Sequence, residues 1–243
     1  KADYHSSRND HFGVEAGAQE VHVTSDSHTV ANNSDIVFPP AARRAQAERS
    51  SARLYAKRLA EGFPDRISPE LAGFIAGLDT AFLATVSAAG APYIQHRGGP
   101  KGFIKVLDER TLGFADYAGN RQYITISNLA ENDRAYLFLL DFAARRRIKI
   151  WGRARVVESD PALLARLADP GYRARPERAI LFTVEAWDVN CTQHITARFT
   201  ASEIADATVV LRERIAALEA ENARLRARTV SSELRESEAA ARA

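Results

Sequence analysis

Between positions 80 and 186 the chain is a succession of apolar runs, most of them too short for an ordinary helix and most ended by turn-forming residues. A run of this length bounded by Gly, Pro, Asn or Asp reads as a strand, because alternate side chains can be buried on one face while the turn residues reverse the chain. Residues 80–86 form such a run, 87–92 supply a Gly and Pro turn, and 93–97 resume an extended pattern, which predicts a hairpin. Further strands are expected at 103–107, 111–115, 136–140, 148–157 and 180–186, and clear helices interrupt them only at 121–130 and 161–168. Parallel strands need a crossover after nearly every strand, usually a helix. Six or seven short strands with two helices therefore favour a mainly β (α+β) chain built on a six-stranded antiparallel barrel.

The flanks differ from this middle. Residues 1–40 are polar and lack a sustained period, so they read as an N-terminal arm. Four of the six histidines lie there (His5, His11, His22 and His28), but their spacing matches no compact ligand pattern and no metal site is expected. Residues 41–79 read as a helical segment against the barrel: Leu54, Tyr55, Arg58 and Leu59 share one helix, Gly62 and Pro64 end it, and Ser68-Pro69 caps a second through Leu71, Phe74, Ile75 and Leu78. The barrel is assigned to 80–200 and a C-terminal helix to 201–243. In that helix Leu211, Ile215, Leu218, Asn222 and Leu225 alternate four and three apart, a heptad seam with Asn222 at an a position. Two readings stand for it: self-association as a coiled coil, or packing on its own barrel.

Composition narrows the partners. The chain has 33 basic and 31 acidic side chains, a formal charge of +2, which gives no reason to expect nucleic acid or a membrane surface; any basic site must be local. One cysteine, Cys191, leaves no intrachain disulfide and fits a reducing compartment, so the expected location is cytoplasmic. No apolar run approaches a membrane span. With no methionine, even at the first position, the numbering reads as starting inside a longer natural chain.

Three stretches can carry chemistry. Phe114-Ala-Asp-Tyr-Ala-Gly-Asn-Arg-Gln-Tyr runs from a strand through a turn into a helix, where backbone N–H groups, a helix dipole and the Arg121 guanidinium can converge on a phosphate. Lys105 lies one strand earlier. One strand later, Arg147, Lys149, Trp151 and Arg153 alternate with Ile148, Ile150 and Ala154, which makes one face basic with an aromatic on it. These groups converge if their strands are neighbours; a solvated, salt-bridged face is the plainer reading. The second stretch, His96-Arg97-Gly98-Gly99-Pro100-Lys101-Gly102, is glycine-rich but lacks the spacing of a triphosphate loop. It can approach a planar ligand, with His96 as acid, base or contact, or simply form a wide turn. The third, Trp187 to His194, gathers Asn190, Cys191 and His194 after an apolar run, and a lone cysteine there is more often buried than nucleophilic.

Taken in order, Phe82-Leu-Ala-Thr-Val, Gly90-Ala-Pro-Tyr, the run from Lys105 through Gly113-Phe-Ala-Asp-Tyr-Ala-Gly-Asn-Arg-Gln122, Asn128-Leu-Ala-Glu-Asn and Ile150-Trp-Gly-Arg-Ala resemble the pyridoxamine 5'-phosphate oxidase-related, FMN-binding split barrels. The resemblance spans residues 68–194. It implies a homodimer with FMN between two six-stranded barrels and residues of both subunits around it. It places Lys105, Arg121 and Gln122 at the phosphate, with Gln122 where the family has lysine and with Arg147 or Lys149 able to make up the lost charge. Asp116 stands where the family commonly has a hydroxyl, so this carboxylate must point away from a phosphate or pair with Arg121. The Arg and His motif that grips the pyridoxal substrate has no match; Asn190 to His194 stands there instead, which argues against pyridoxamine-phosphate oxidation.

The expected function is an FMN-dependent oxidoreductase acting on an unspecified small molecule. Arg97, Lys105, Asn120, Arg121, Gln122, Arg147 and Lys149 are the candidate cofactor ligands, and His96, Trp187, Asn190 and His194 the candidate pocket residues. The alternatives are a non-catalytic carrier of flavin or haem and an assembly protein that works through its C-terminal helix. Whether a deazaflavin replaces FMN is open.

Overall fold

The computed structural model describes residues 32–190 and 192–242, with side chains described as far as residue 231. His5, His11, His22, His28 and Cys191 lie outside the described residues. The strand order is β2-β1-β5-β6-β7-β4-β3, with every neighbouring pair antiparallel. The strands are β1 Thr80–Val86, β2 Pro92–Gly98, β3 Lys105–Val106, β4 Thr111–Tyr117, β5 Arg134–Asp141, β6 Arg146–Val157 and β7 Pro176–Asn190. That is seven strands against the expected six, the extra one only two residues long.

Alternation decides which face each strand buries. In β1, Ala81, Leu83 and Thr85 are buried while Phe82 and Ala84 between them are half-buried. Leu137 and Leu139 of β5, Ile148 and Ile150 of β6, and Phe182 and Val184 of β7 close on the same interior. β4 does not alternate: Leu112 to Asp116 are all buried. One face of β4 carries Leu112 and Phe114 into the main core, and Ala115 on the other packs with Leu167 and Leu181 beneath the helix α6, Pro161–Leu167.

The expected strand at 103–107 shortens to β3 for a physical reason. Phe103 and Ile104 are in the core (4% and 2% exposed), so packing rather than a ladder buries them. Gly102 before them is left-handed (φ 77°), which turns the chain out of extended conformation.

The helical segment before the barrel is in pieces. α1 is Ser34–Val37, α2 Pro40–Glu48 and α3 Ala52–Glu61; left-handed Ser50 (φ 58°) separates α2 from α3. Asn33 pins the start to the barrel: its Nδ2 donates to the carbonyls of Phe63 and Glu185, both at 2.8 Å. α4, Pro69–Ala76, is capped as its sequence requires, with Ser68 Oγ accepting from the Leu71 N–H at 3.2 Å, and it buries Leu71, Phe74 and Ile75 in the barrel core.

The final helix, α7 Ala201–Arg242, starts with a reciprocal cap: Thr200 Oγ1 accepts from the Glu203 N–H at 3.2 Å and Glu203 Oε2 from the Thr200 N–H at 2.8 Å. Lys101 pairs with Glu203 at 3.1 Å and ties this end to the loop after β2. Beyond Thr208 every residue up to Ser231 is exposed, so the helix does not pack on its own barrel. No helix among the described residues is long and apolar enough to cross a membrane.

Candidate functional site at the barrel seam

β2 is an edge of the sheet and β4 is next to the other edge, yet their side chains meet. Arg97 of β2 forms an ion pair with Asp116 of β4, and Asp116 Oδ2 accepts from Arg178 of β7 at 2.9 Å. The sheet has curled until its edges face, and charge rather than a backbone ladder closes the gap. The three side chains are only 12%, 8% and 14% exposed. Burial works against the charge on Arg178, but its bond to Asp116, with Glu177 and Glu158 nearby, outweighs this and holds its pKa above the ordinary arginine value.

Two depressions flank this closure. One is lined by His96, Arg97, Phe103, Phe114, Asp116 and their neighbours. The other lies over the turn that follows β4, where Asn120, Arg121, Gln122 and Tyr123 form the floor together with Arg97, Arg178, Tyr93 and Gln95. The sequence expects a helix from 121; α5 instead spans Ile124–Glu131, because Arg121 (φ 57°) and Tyr123 (φ 56°) are left-handed. Non-glycine residues in that region are strained, and such residues concentrate at ligand sites. The Tyr123 side chain makes no capping bond, so the first turn of α5 has no side-chain cap, and its residues Ile124, Thr125 and Ile126 line the depression.

Donors outnumber acceptors here. The lining holds Arg97, Arg121 and Arg178 against Asp116 and Glu177. Arg97 Nε is buried without a hydrogen-bond partner, Arg178 Nε lies 3.4 Å from Glu158 Oε1, and among the described residues nothing bonds the exposed Arg121 guanidinium. Asn120 Oδ1 accepts from the Gln122 N–H at 3.2 Å, and Thr125 Oγ1 donates to Gln95 Oε1 at 2.8 Å, so the floor is held in shape by its own side chains. An anion fits this surface: three guanidiniums, one of them with an orphaned donor and one unpaired, and a helix N-terminus share one concavity.

The structure brings together only part of the expected set. Arg97, Asn120, Arg121 and Gln122 line the depression at the start of α5, and His96 lines the other, its Nε2 2.7 Å from Thr80 Oγ1. Lys105, in β3 opposite Gly113, lines neither. Arg147 and Lys149 do not join Arg121 within one chain, because β7 lies between their strand and β4; they pair in register with Asn190 and Asp188, while the depression takes Arg178, at least ten residues back along β7. Lys149 is occupied by Asp188 at 3.3 Å and by the Trp151 ring. Trp187 is a brace, with Nε1 donating to the Arg66 carbonyl at 2.8 Å. Asn190 and the exposed, left-handed His194 lie away from both depressions. Asp116 pairs with Arg97 and Arg178 and not with Arg121.

Sequence reading missed Arg178. Its signal was Asp116 itself, a carboxylate in an otherwise apolar strand that had to find a cation when buried.

No curated protein matches the chain. Among solved structures, HupZ of Group A Streptococcus is 18% identical, covering 55% of this chain and 99% of its own, with a TM-score of 0.43. An FMN-binding protein of Syntrophomonas wolfei is 11% identical, covering 60% and 97%, with a TM-score of 0.41. HutZ, a haem storage protein of Vibrio cholerae, is 16% identical, covering 51% and 94%, with a TM-score of 0.35. The family model described as pyridoxamine 5'-phosphate oxidase matches residues 67–191, more than half of the chain and the whole of the curled sheet from β1 through β7. The protein belongs to the pyridoxamine 5'-phosphate oxidase family of split barrels.

Proposed function

We propose that this protein binds FMN at the barrel seam and acts as a flavin-dependent oxidoreductase on a small molecule other than pyridoxamine phosphate. The observation that carries the reading is the unpaired Arg121 at the N-terminus of α5, beside the orphaned donor of Arg97. Bound there, FMN supplies the hydride or electron chemistry. Arg121 presents a planar fork to the phosphate, the N–H groups of Ile124 and Thr125 add donors from the helix, and Gln122 keeps a donor with no charge. Asp116 is turned to Arg97 and Arg178, so it holds the seam shut without facing the phosphate.

The reading includes a homodimer. The outer face of β2-β1-β5-β6 carries a patch that is only half covered: Phe82, Tyr136, Phe138 and Trp151 are half-buried and Ile94 is 60% exposed. A second barrel on this patch would also meet Arg147 and Lys149, which stand on the same face. That supports a cofactor held between subunits, with Arg121 from one and these cations from the other.

Protein purified from cells or reconstituted with FMN should show a flavin absorbance band, and Arg121→Ala should weaken FMN binding by about two orders of magnitude, the size expected for a charge-assisted pair. Wild-type protein that takes up no FMN overturns the proposal. Bound flavin that no nicotinamide donor reduces would make the protein a carrier instead.

A further inference from the structure

Among the described elements, α7 is the long one whose apolar side chains nothing covers. Leu211, Ile215, Leu218 and Leu225 are 62%, 55%, 45% and 52% exposed. A helix with such a stripe gains its stability from a partner laid along it. The spacing says what partner. Leu211, Leu218 and Leu225 take the d positions of a heptad and Ile215 and Asn222 the a positions, the branching pattern that selects two strands.

Orientation follows from Asn222 and the flanking charges. In a parallel, in-register pair an a residue faces its own copy, so the two Asn222 amides bond each other; in an antiparallel pair a faces d, and Asn222 would be set against leucine with its amide unmet. In the parallel pair each g residue reaches the e residue five positions on in the other helix. Arg214 then meets Glu219, and Glu221 meets Arg226, opposite charges both times and twice over by symmetry. A hollow on the helix bordered by Ile215, Leu218, Glu219 and Asn222 is the four-sided hole into which the other copy's Leu218 would fit.

We propose that α7 pairs with the α7 of a second copy of this chain as a parallel, in-register, two-stranded coiled coil. This pairing is independent of the flavin reading. It is tested in the full-length protein carrying Cys191→Ser, with Leu211→Cys, Leu225→Cys or Arg224→Cys added singly, by oxidising under mild conditions and following disulfide-linked dimer on non-reducing gels. Positions 211 and 225 lie about 21 Å apart along a helix. Parallel pairing predicts that both Leu211→Cys and Leu225→Cys link to themselves, at least roughly tenfold faster than Arg224→Cys, which points outward, because pairing raises the local thiol concentration. Linking at only one of positions 211 and 225 would mean an antiparallel or shifted pair and overturns the proposal. Equal rates for all three variants, or no linking at either position, overturn it too. As a second arm, Glu219→Arg/Glu221→Arg should abolish linking through Leu218-flanking repulsion, and mixing with Arg214→Glu/Arg226→Glu should restore it as a heterodimer.

Discussion

At the scale of single residues, Asp116 decides how the seam holds. It is the anion between two nearly buried guanidiniums. Replacing it by asparagine keeps the shape but leaves Arg97 without its counter-charge and Arg178 with only Glu177 and Glu158. Asp116→Asn should therefore cost about 3 kcal/mol in urea unfolding, the low end of the range for removing one member of a buried ionic pair. A second prediction concerns Tyr136, which packs edge-on to Trp151 at 5.2 Å. Burial pushes its hydroxyl up from 10.0 to about 12. An acid whose pKa is raised by folding binds its proton more tightly folded than unfolded, so stability is unaffected below about pH 10 and falls as pH rises from about 10 to about 12. Allowing for its partial exposure, the loss should be about 1–2 kcal/mol, and Tyr136→Phe should abolish that share of the alkaline slope. Of the site residues, Arg121 and Asn120 were legible because a strand, a turn and a helix start are written in consecutive letters. Arg178 was not, because its place beside Asp116 depends on which strands become neighbours.

The elements show the same division. Strands β1, β5 and β6 could be read from alternation because one of their faces is core and the other is half-covered. β7 extends well beyond its apolar centre because its ends are held by pairing with β4 and β6, and a ladder recruits polar residues that carry no periodic signal. α5 starts at Ile124, later than the sequence pattern indicates, since the left-handed turns at Arg121 and Tyr123 come from local backbone geometry with no glycine to mark them. At Gly152 the backbone of β7 leaves no room for a side chain. The ladder shifts register between Trp151 and Gly152, and a Cβ at 152 would lie 2.0 Å from the Thr183 carbonyl oxygen and 2.7 Å from the Phe182 ring. Backbone cannot yield as a side-chain tip does, so Gly152→Ala should destabilise the barrel by about 3 kcal/mol, at the upper end of overpacking costs, read as a lower urea midpoint with an unchanged slope.

For the molecule as a whole, two faces are left uncovered, and the proposals above give both to a second copy: the half-covered patch around Phe82 and Trp151, and the seam of α7. Both can be satisfied in one closed dimer only if they lie on a common two-fold axis. The antiparallel barrel was legible from the sequence because short runs with few crossovers leave little else for such a chain to build. Its closure by charge was not, because the pairing of β2 with β4 spans the full breadth of the sheet. The central claim is that this closed seam holds a flavin phosphate, and the most direct measurement is a titration of the full-length protein with FMN followed by flavin absorbance and by equilibrium dialysis. The account predicts saturable binding of one FMN per chain that is lost in Arg121→Ala while the fold persists; an absence of FMN binding, or equal binding by the variant, would contradict it.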